Sequence, residues 1–376
     1  MRKWLLSLCM ILALIACKED KKTAANEKPV VKIGVLYPLS GDAAFFGDSA
    51  KKAAHLFFKE FDSQKAKYNY ELVWEDSQSS PAKAVMAARK LMDYDHVDII
   101  YDMYSGVAVA VSPIANEKKT LHLTFAQDRA ISTGFYNWRV VTSDKKTGEK
   151  MISALKERKL YNLVGVVENT AGTLSLYNGF ANLAETDNEI DLQTMAVNPG
   201  EHDFNLLLQK IKAMKPDALV VTLHAPEIDI FMRQAKNNEF DIPIVGVQSF
   251  TFLKDKSLAE GSWYVDVAMA DKDFLQRYKA DSGDDITNFA ENFYTLLQVT
   301  TTVYESYDKE DKPTHEEFIQ QIPVVNGLAT PIGKLVIDKE EQNVDSEASV
   351  RAIKNGIVEA IDEAGEALHP VRGAQP

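Results

Sequence analysis

The stretch "VVKIGVLYPLSGDAAFFGDSAKKAAHLFF", Val30–Phe58, decides how the rest of the chain is read. An apolar, β-rich run (Val30–Tyr37) gives way to a turn and then to apolar residues at helical spacing. Gly34, Gly41 and Gly47 stand where the strand becomes the helix, which is where nucleotide-binding proteins cradle a phosphate. The spacing does not suit that role. The stretch is not G-x-G-x-x-G and lacks a G-K-[S/T] ending, so it is neither a dinucleotide fingerprint nor a P-loop. The turn must serve something else.

The same β–α unit recurs along the chain. Apolar runs predict strands at Val30–Tyr37, Tyr70–Glu75, Val97–Asp102, Leu121–Phe125, Tyr161–Glu168, Ile190–Val197, Ala218–Leu223 and Ile242–Val247. Several, such as "LVGVV" and "ALVVTL", are continuously apolar, as strands buried on both faces of a parallel sheet must be. Amphipathic patterns predict helices at 44–64, 81–93, 107–116, 145–159, 173–185, 204–214 and 226–238. Pro81 behind Ser79 and Ser80 is a good helix start. The alternation predicts an α/β fold with parallel sheets. After about residue 268 the pattern changes. A polar loop, "KADSGDDITN", precedes a long helix at 289–307, and "GKLVID" and "SVRAIKNGIVEAI" read as paired terminal strands.

The N-terminus reads as a leader. Arg2 and Lys3 precede "WLLSLCMILALI", an apolar run of 12 residues that is short for a membrane span. It ends in "LIAC", so residues 1–16 are expected to be a signal peptide whose removal leaves Cys17 to carry lipid. The competing reading is an ordinary signal peptide with a chance cysteine. Residues 17–29 are polar and read as a tether to the membrane surface. With Cys9 removed and Cys17 lipidated, the body has no thiol, disulfide or cysteine metal site. The 360 residues after position 16 favour two domains. The net charge of −13, or −15 without Arg2 and Lys3, comes with no basic stripe and argues against nucleic acid.

Catalytic signatures are missing. "YSGV" at 104–107 lacks the leading glycine of a nucleophile elbow, and "HEEFI" at 315–319 has no second histidine four residues on. The seven histidines are scattered without metal-ligand spacing, and no cofactor is implied.

Several stretches together resemble the branched-chain amino acid (leucine/isoleucine/valine) binding protein family. They are the opening "VKIGVLYPLSGDAAFFGDSAKKAAHLFFKEF", "EDSQSSPAKAVMAARKLM", "VDIIYDMYSGVAVAVSPIANEKKTLHLTFA" and "DFNLLLQKIKAMKPDALVVTLHAPEIDIFMRQAKNNEFDIPIVG". The resemblance runs in order from about residue 30 to 361. It implies the type I periplasmic-binding-protein fold, two Rossmann-like lobes joined by three crossover segments. Lobe one would take 30–143 and 268–345, lobe two 144–267 and 346–361, and 362–376 would be a tail. It also implies a monomeric, lipid-anchored receptor on the outer side of a bacterial membrane. Such a receptor closes on a small molecule and delivers it to an ABC permease.

The resemblance carries over to particular positions. Ser105 would offer its hydroxyl and Gly106 or Val107 a backbone N–H to a ligand carboxylate, at a helix N-terminus where anions need no lysine. Ala126 and Asp128 match the second binding turn, and Phe46 an aromatic wall, so that Gly41 and Gly47 shape a ligand wall. Tyr104 can supply a further aromatic, and Thr173 or a neighbour stands where the family places an aromatic on lobe two, with Tyr177 one turn later. His224 and Gln248 match the polar contacts of lobe two. Each has a structural alternative: Ser105 as a helix cap, Phe46 as core, His224 and Gln248 as capping loop residues. The departures bear on the ligand. Gln248 stands where amino-acid binders have an acid for the ammonium, and Asp128 where they have a small hydroxyl residue. Either Asp128 holds a cationic group, or the ligand is an amide, urea-like or aromatic compound. Asp128 disfavours a simple aliphatic monoacid, because two negative groups repel. A same-fold sensor, and a cleft enzyme using Asp128 and His224 as acid and base, are the other readings.

Overall fold

The structure, a computed structural model, describes residues 28–361 except 252, 285, 286 and 310, together with residue 365. The expected signal peptide, Cys17 with the tether up to residue 27, and the tail apart from residue 365 lie outside the described residues.

Two seven-stranded sheets organise the chain. The first holds β1 (Val30–Tyr37), β2 (Asn69–Asp76), β3 (Ile99–Met103), β4 (Leu121–Phe125) and β5 (Asn137–Val140). The second holds β6 (Asn162–Glu168), β7 (Asp191–Val197), β8 (Ala218–Thr222), β9 (Ile244–Val247) and β10 (Trp263–Val267). A short ribbon, β11 (Ala329–Thr330) and β12 (Gly333–Lys334), follows. Then β13 (Val336–Asp338) and β14 (Asn343–Asp345) return to the first sheet, and β15 (Ala348–Lys354) and β16 (Ile357–Ile361) to the second. The orders are β13-β14-β5-β4-β3-β1-β2 and β16-β15-β10-β9-β8-β6-β7. Both sheets are parallel in their centres, as the apolar runs predict. Pairing turns antiparallel at one end of each, between β13 and β14 and through β10, β15 and β16.

Burial on both faces explains why these strands read as apolar runs. In β1, Val31, Ile33, Val35 and Tyr37 join the core on one face, while Leu36 packs on the other. Helices α2 (Pro81–Asp93) and α3 (Ser105–Lys118) cover the Leu36 face. The opposite face packs against α1 (Ala44–Glu60), α8 (Lys272–Ser282), α9 (Ala290–Ser306) and α10 (His315–Gln321). On the second sheet α4 (Asp144–Glu157) and α5 (Ala171–Thr186) cover one face, α6 (Asn205–Met214) and α7 (Glu227–Asn237) the other.

Several local expectations need correction. Strands β5 and β10 and helix α8 were not predicted, and the expected loop from Lys279 begins only after Ser282. Ser80 is the cap residue of α2, but its side chain makes no capping bond. Helix α3 begins at Ser105, not Val107, with Tyr104 as its cap residue.

The opening turn now has its explanation. A Cβ on Gly47 would lie 2.3 Å from the Pro38 carbonyl oxygen, so glycine lets α1 sit against its own leading turn. The Asp76 carboxylate already occupies the turn's donors. It accepts from Leu39 N at 2.8 Å, Ser40 Oγ at 2.5 Å and Gln78 N at 2.9 Å. Burial would raise the Asp76 carboxyl, but these hydrogen bonds outweigh it and hold it below the usual value. A phosphate there would meet a resident anion.

The chain passes between the sheets three times: between Val140 and Asp144, after Val267, and between Asp345 and Ala348. Buried Thr142 ties the three together. Its Oγ1 accepts from Ala268 N at 3.1 Å, bonds Ser346 Oγ at 2.8 Å and donates to the Glu347 carbonyl at 3.1 Å.

Candidate functional site

The carboxyl ends of both sets of parallel strands face one cavity, where open α/β sheets bind ligands. It holds ≈ 940 Å³ of empty space, part of it open to solvent. Residues following β3, β4, β8 and β9, and the last residues of β10, all reach it.

The first lobe supplies an anion-accepting end and an apolar wall. Ser105 opens α3, whose cap residue Tyr104 has φ 71° and ψ 117° and makes no side-chain capping bond. Val107 N already donates to the Tyr104 carbonyl at 3.0 Å, so the N–H groups left for an acceptor are those of Ser105 and Gly106, with the Ser105 hydroxyl beside them and the positive end of the helix dipole behind. Phe46 stacks on Phe289 at 5.8 Å with 17° between the rings, and Tyr104 meets Phe46 edge-on at 5.7 Å. Phe125 closes the wall beside Phe289 at 5.2 Å. Ala126, Gln127 and Asp128 follow β4. Asp128 Oδ1 accepts from Ala130 N at 2.9 Å and so caps the short turn that follows.

The second lobe supplies polar groups. Ser175 and Leu176 come from α5, His224 follows β8, Gln248 and Thr251 follow β9, and Asp266 is on β10. Gln248 is 6% exposed, with its side-chain nitrogen unpartnered. Asp266 is paired with Arg351 Nη1 at 2.9 Å, takes Val267 N at 2.7 Å and accepts from the Thr251 hydroxyl. Burial pushes His224 below its usual value, and Glu168 and Glu227 offset this only in part, so the imidazole stays neutral near pH 7. Among the described residues, no lysine or arginine lines the cavity.

Tyr104, Gln248 and Phe289 all hang from backbone at positive φ (71°, 57° and 65°). That conformation is costly for large residues and persists where packing enforces it, often at binding sites.

Of the residues expected at the site, Phe46, Tyr104, Ser105, Ala126, Asp128, His224 and Gln248 converge here. Gly106 does not line the cavity; it is exposed beside Pro81. Thr173 does not line it either. It is fully buried in a capping box with Thr170, and its hydroxyl donates to the Glu168 carbonyl at 2.5 Å. Gly172 and Ser175 take its place on the wall. Tyr177 points away, its hydroxyl bonded to Thr194 Oγ1 at 2.7 Å. Phe125, Ser175, Leu176, Thr251, Asp266 and Phe289 line the cavity unanticipated. Phe125 could have been found as the last residue of a predicted strand; Phe289 carries no comparable signal.

Two α/β lobes linked by three short passages, with a mixed aromatic and polar cavity between them, make a two-lobed α/β protein whose cavity is of small-solute size. The chain belongs to the periplasmic binding protein family, whose model matches residues 30–356. Among curated proteins it is similar to the Leu/Ile/Val-binding protein BraC3 of Rhizobium johnstonii, 26% identical over 222 residues. That match covers 57% of this chain and 60% of the relative's length. Its fold is shared with the leucine binding protein LivK of Thermotoga maritima (TM-score 0.74, 22% identity, covering 88% of this chain and 97% of that one). It is also shared with an ABC-transporter solute binding protein from R. palustris in complex with benzoate (TM-score 0.71, 20% identity, covering 91% and 98%).

Proposed function

We propose that this protein is the extracytoplasmic solute-binding component of an ABC importer. It captures a small organic molecule with an acceptor end, such as a carboxylate, and an apolar body. The observation that carries this is the cavity itself: the uncapped start of α3 and the Phe46–Phe289 wall on one lobe face polar groups on the other. Hinge closure between the lobes would bury the solute and create the surface offered to a membrane permease. Lipid on Cys17 would hold the monomeric receptor at the membrane. No turnover is expected. Asp128 is engaged in capping, and His224 is a poor proton donor once its pKa is lowered.

The named relatives support two ligand types, leucine-like amino acids and aromatic acids. The stacked rings favour the aromatic or bulky apolar members of both, because flat bodies match a flat apolar wall. Thermal denaturation against a panel of amino acids, amides, ureas and aromatic acids tests the reading. A true ligand at 100 times its Kd adds about 2.7 kcal/mol of stability. A melting temperature unmoved by the whole panel would contradict it.

A further inference from the structure

Two hydroxyls on the lobe-two wall, those of Ser175 and Thr251, each have a carboxylate behind them. Ser175 Oγ donates to Asp144 Oδ2 at 2.7 Å, and the Thr251 hydroxyl donates to Asp266 Oδ2. An ionised carboxylate has no proton to give, so each hydroxyl proton is committed away from the cavity. The lone pairs remain for whatever the cavity holds.

Both carboxylates are built into place. Asp266 is fixed by Arg351 and by the Val267 N–H. Asp144 is 6% exposed and sits in the first turn of α4 behind its cap residue Ser143. Burial raises its carboxyl above the usual value, opposed by the Ser175 hydrogen bond, the nearby Arg139 and Arg129 and the helix dipole, so its acceptor role holds where it is ionised. The contact with Ser175 exists because α4 and α5 cross at glycines. A Cβ on Gly179 would lie 2.3 Å from the Asp144 carbonyl oxygen, and one on Gly148 2.1 Å from the Gly179 carbonyl oxygen. Side chains at these positions would push Asp144 and Ser175 apart.

Resting on the solute-binding reading above, we propose that lobe two reads a hydrogen-bond donor on the ligand, an ammonium or a hydroxyl. Ser175 and Thr251 are the accepting, specificity-determining residues, and Asp144 and Asp266 are positioning residues. The ligand is then bipolar. Its acceptor end lies at the start of α3, its body against the aromatic wall, and its donor against lobe two. The Asp128 carboxylate and the lack of a lining lysine or arginine among the described residues agree with a donor of polar or positive character.

Two matched pairs of solutes test this by calorimetry at neutral pH: 4-hydroxybenzoate against benzoate, and leucine against 4-methylpentanoate. The first member of each pair carries a donor that the second lacks, and the pairs separate hydroxyl from ammonium. In whichever pair binds, the donor-bearing member is expected to bind at least about tenfold more tightly. Ser175→Ala and Thr251→Val should each shrink that ratio. Ser175→Thr should preserve the ratio. Asp144→Ala, which removes the acceptor behind Ser175, should reduce it by freeing the Ser175 proton, a change that lost stability alone would not produce. Equal affinity within a binding pair, or a ratio that survives both Ser175→Ala and Thr251→Val, overturns the inference and leaves the solute-binding reading standing. If no solute of either pair binds, the ligand class fails as well. If Ser175→Ala does not fold, Thr251→Val alone decides.

Discussion

His122, near the start of β4, and Asp102, near the carboxyl end of β3, lie side by side at zero exposure. His122 Nε2 is 3.0 Å from Asp102 Oδ2, and its Nδ1 is 2.8 Å from Asn137 Oδ1. Burial alone would depress the imidazole, but Asp102, with help from Asn137, outweighs it and raises the pKa above the usual 6.5. A histidine with a raised folded-state pKa stabilises fully below its unfolded value. That contribution is lost as pH rises through the folded value. Wild-type stability in urea should therefore fall from about pH 6.5 upward, and His122→Leu should remove the imidazole's part of that slope. The variant also strands a carboxylate whose Oδ1 already lacks a partner, so we expect a loss of about 3–5 kcal/mol. An unchanged urea midpoint would refute this reading of the pair. Legibility at this scale is uneven for physical reasons. Ser105 and Asp128 follow readable strands, so their place at the cavity could be expected. Ser175 and Thr173 are two residues apart on one helix, and only the observed start of α5 at Ala171 decides which of them caps and which faces the ligand. Thr251, Asp266 and Phe289 reach the cavity through tertiary convergence that local pattern does not encode.

Elements were legible where burial was two-sided or a helix start was marked. Helix α2 matches its predicted span because Pro81 fixes its start, and β4 because Leu121, Leu123 and Phe125 recur at strand spacing. Strand β5, "NWRV", escaped because its buried residues include Asn137 and Arg139. Arg139 is tolerated there because its guanidinium donates to Ser132 Oγ, the Gln127 carbonyl and Glu341. Those bonds also brace the turn that carries Asp128. Helix α8 escaped because it is mostly polar, with Phe274 and Tyr278 as its buried residues one turn apart. The α4–α5 crossing has a direct test. Gly179→Ala must displace backbone, and such overpacking costs about 1–3 kcal/mol. Its urea midpoint should fall, and the preference for donor-bearing solutes should weaken with it. A variant as stable as wild type would show that the two helices can part without strain.

At the scale of the whole molecule, two stable sheets are joined by thin passages that meet at Thr142. Each lobe has its own core, so the softest coordinate is rotation of one lobe against the other. The repeated β–α pattern made this architecture readable. The return of the chain for β13–β16 was less so, because short strands added to the edges of existing sheets leave little periodicity. Small-angle X-ray scattering tests the central claim most directly. Recorded with and without a solute that calorimetry has shown to bind, it should report a smaller radius of gyration in the bound state as the lobes shut. A bound solute that leaves the scattering profile unchanged would contradict closure as the mechanism of capture.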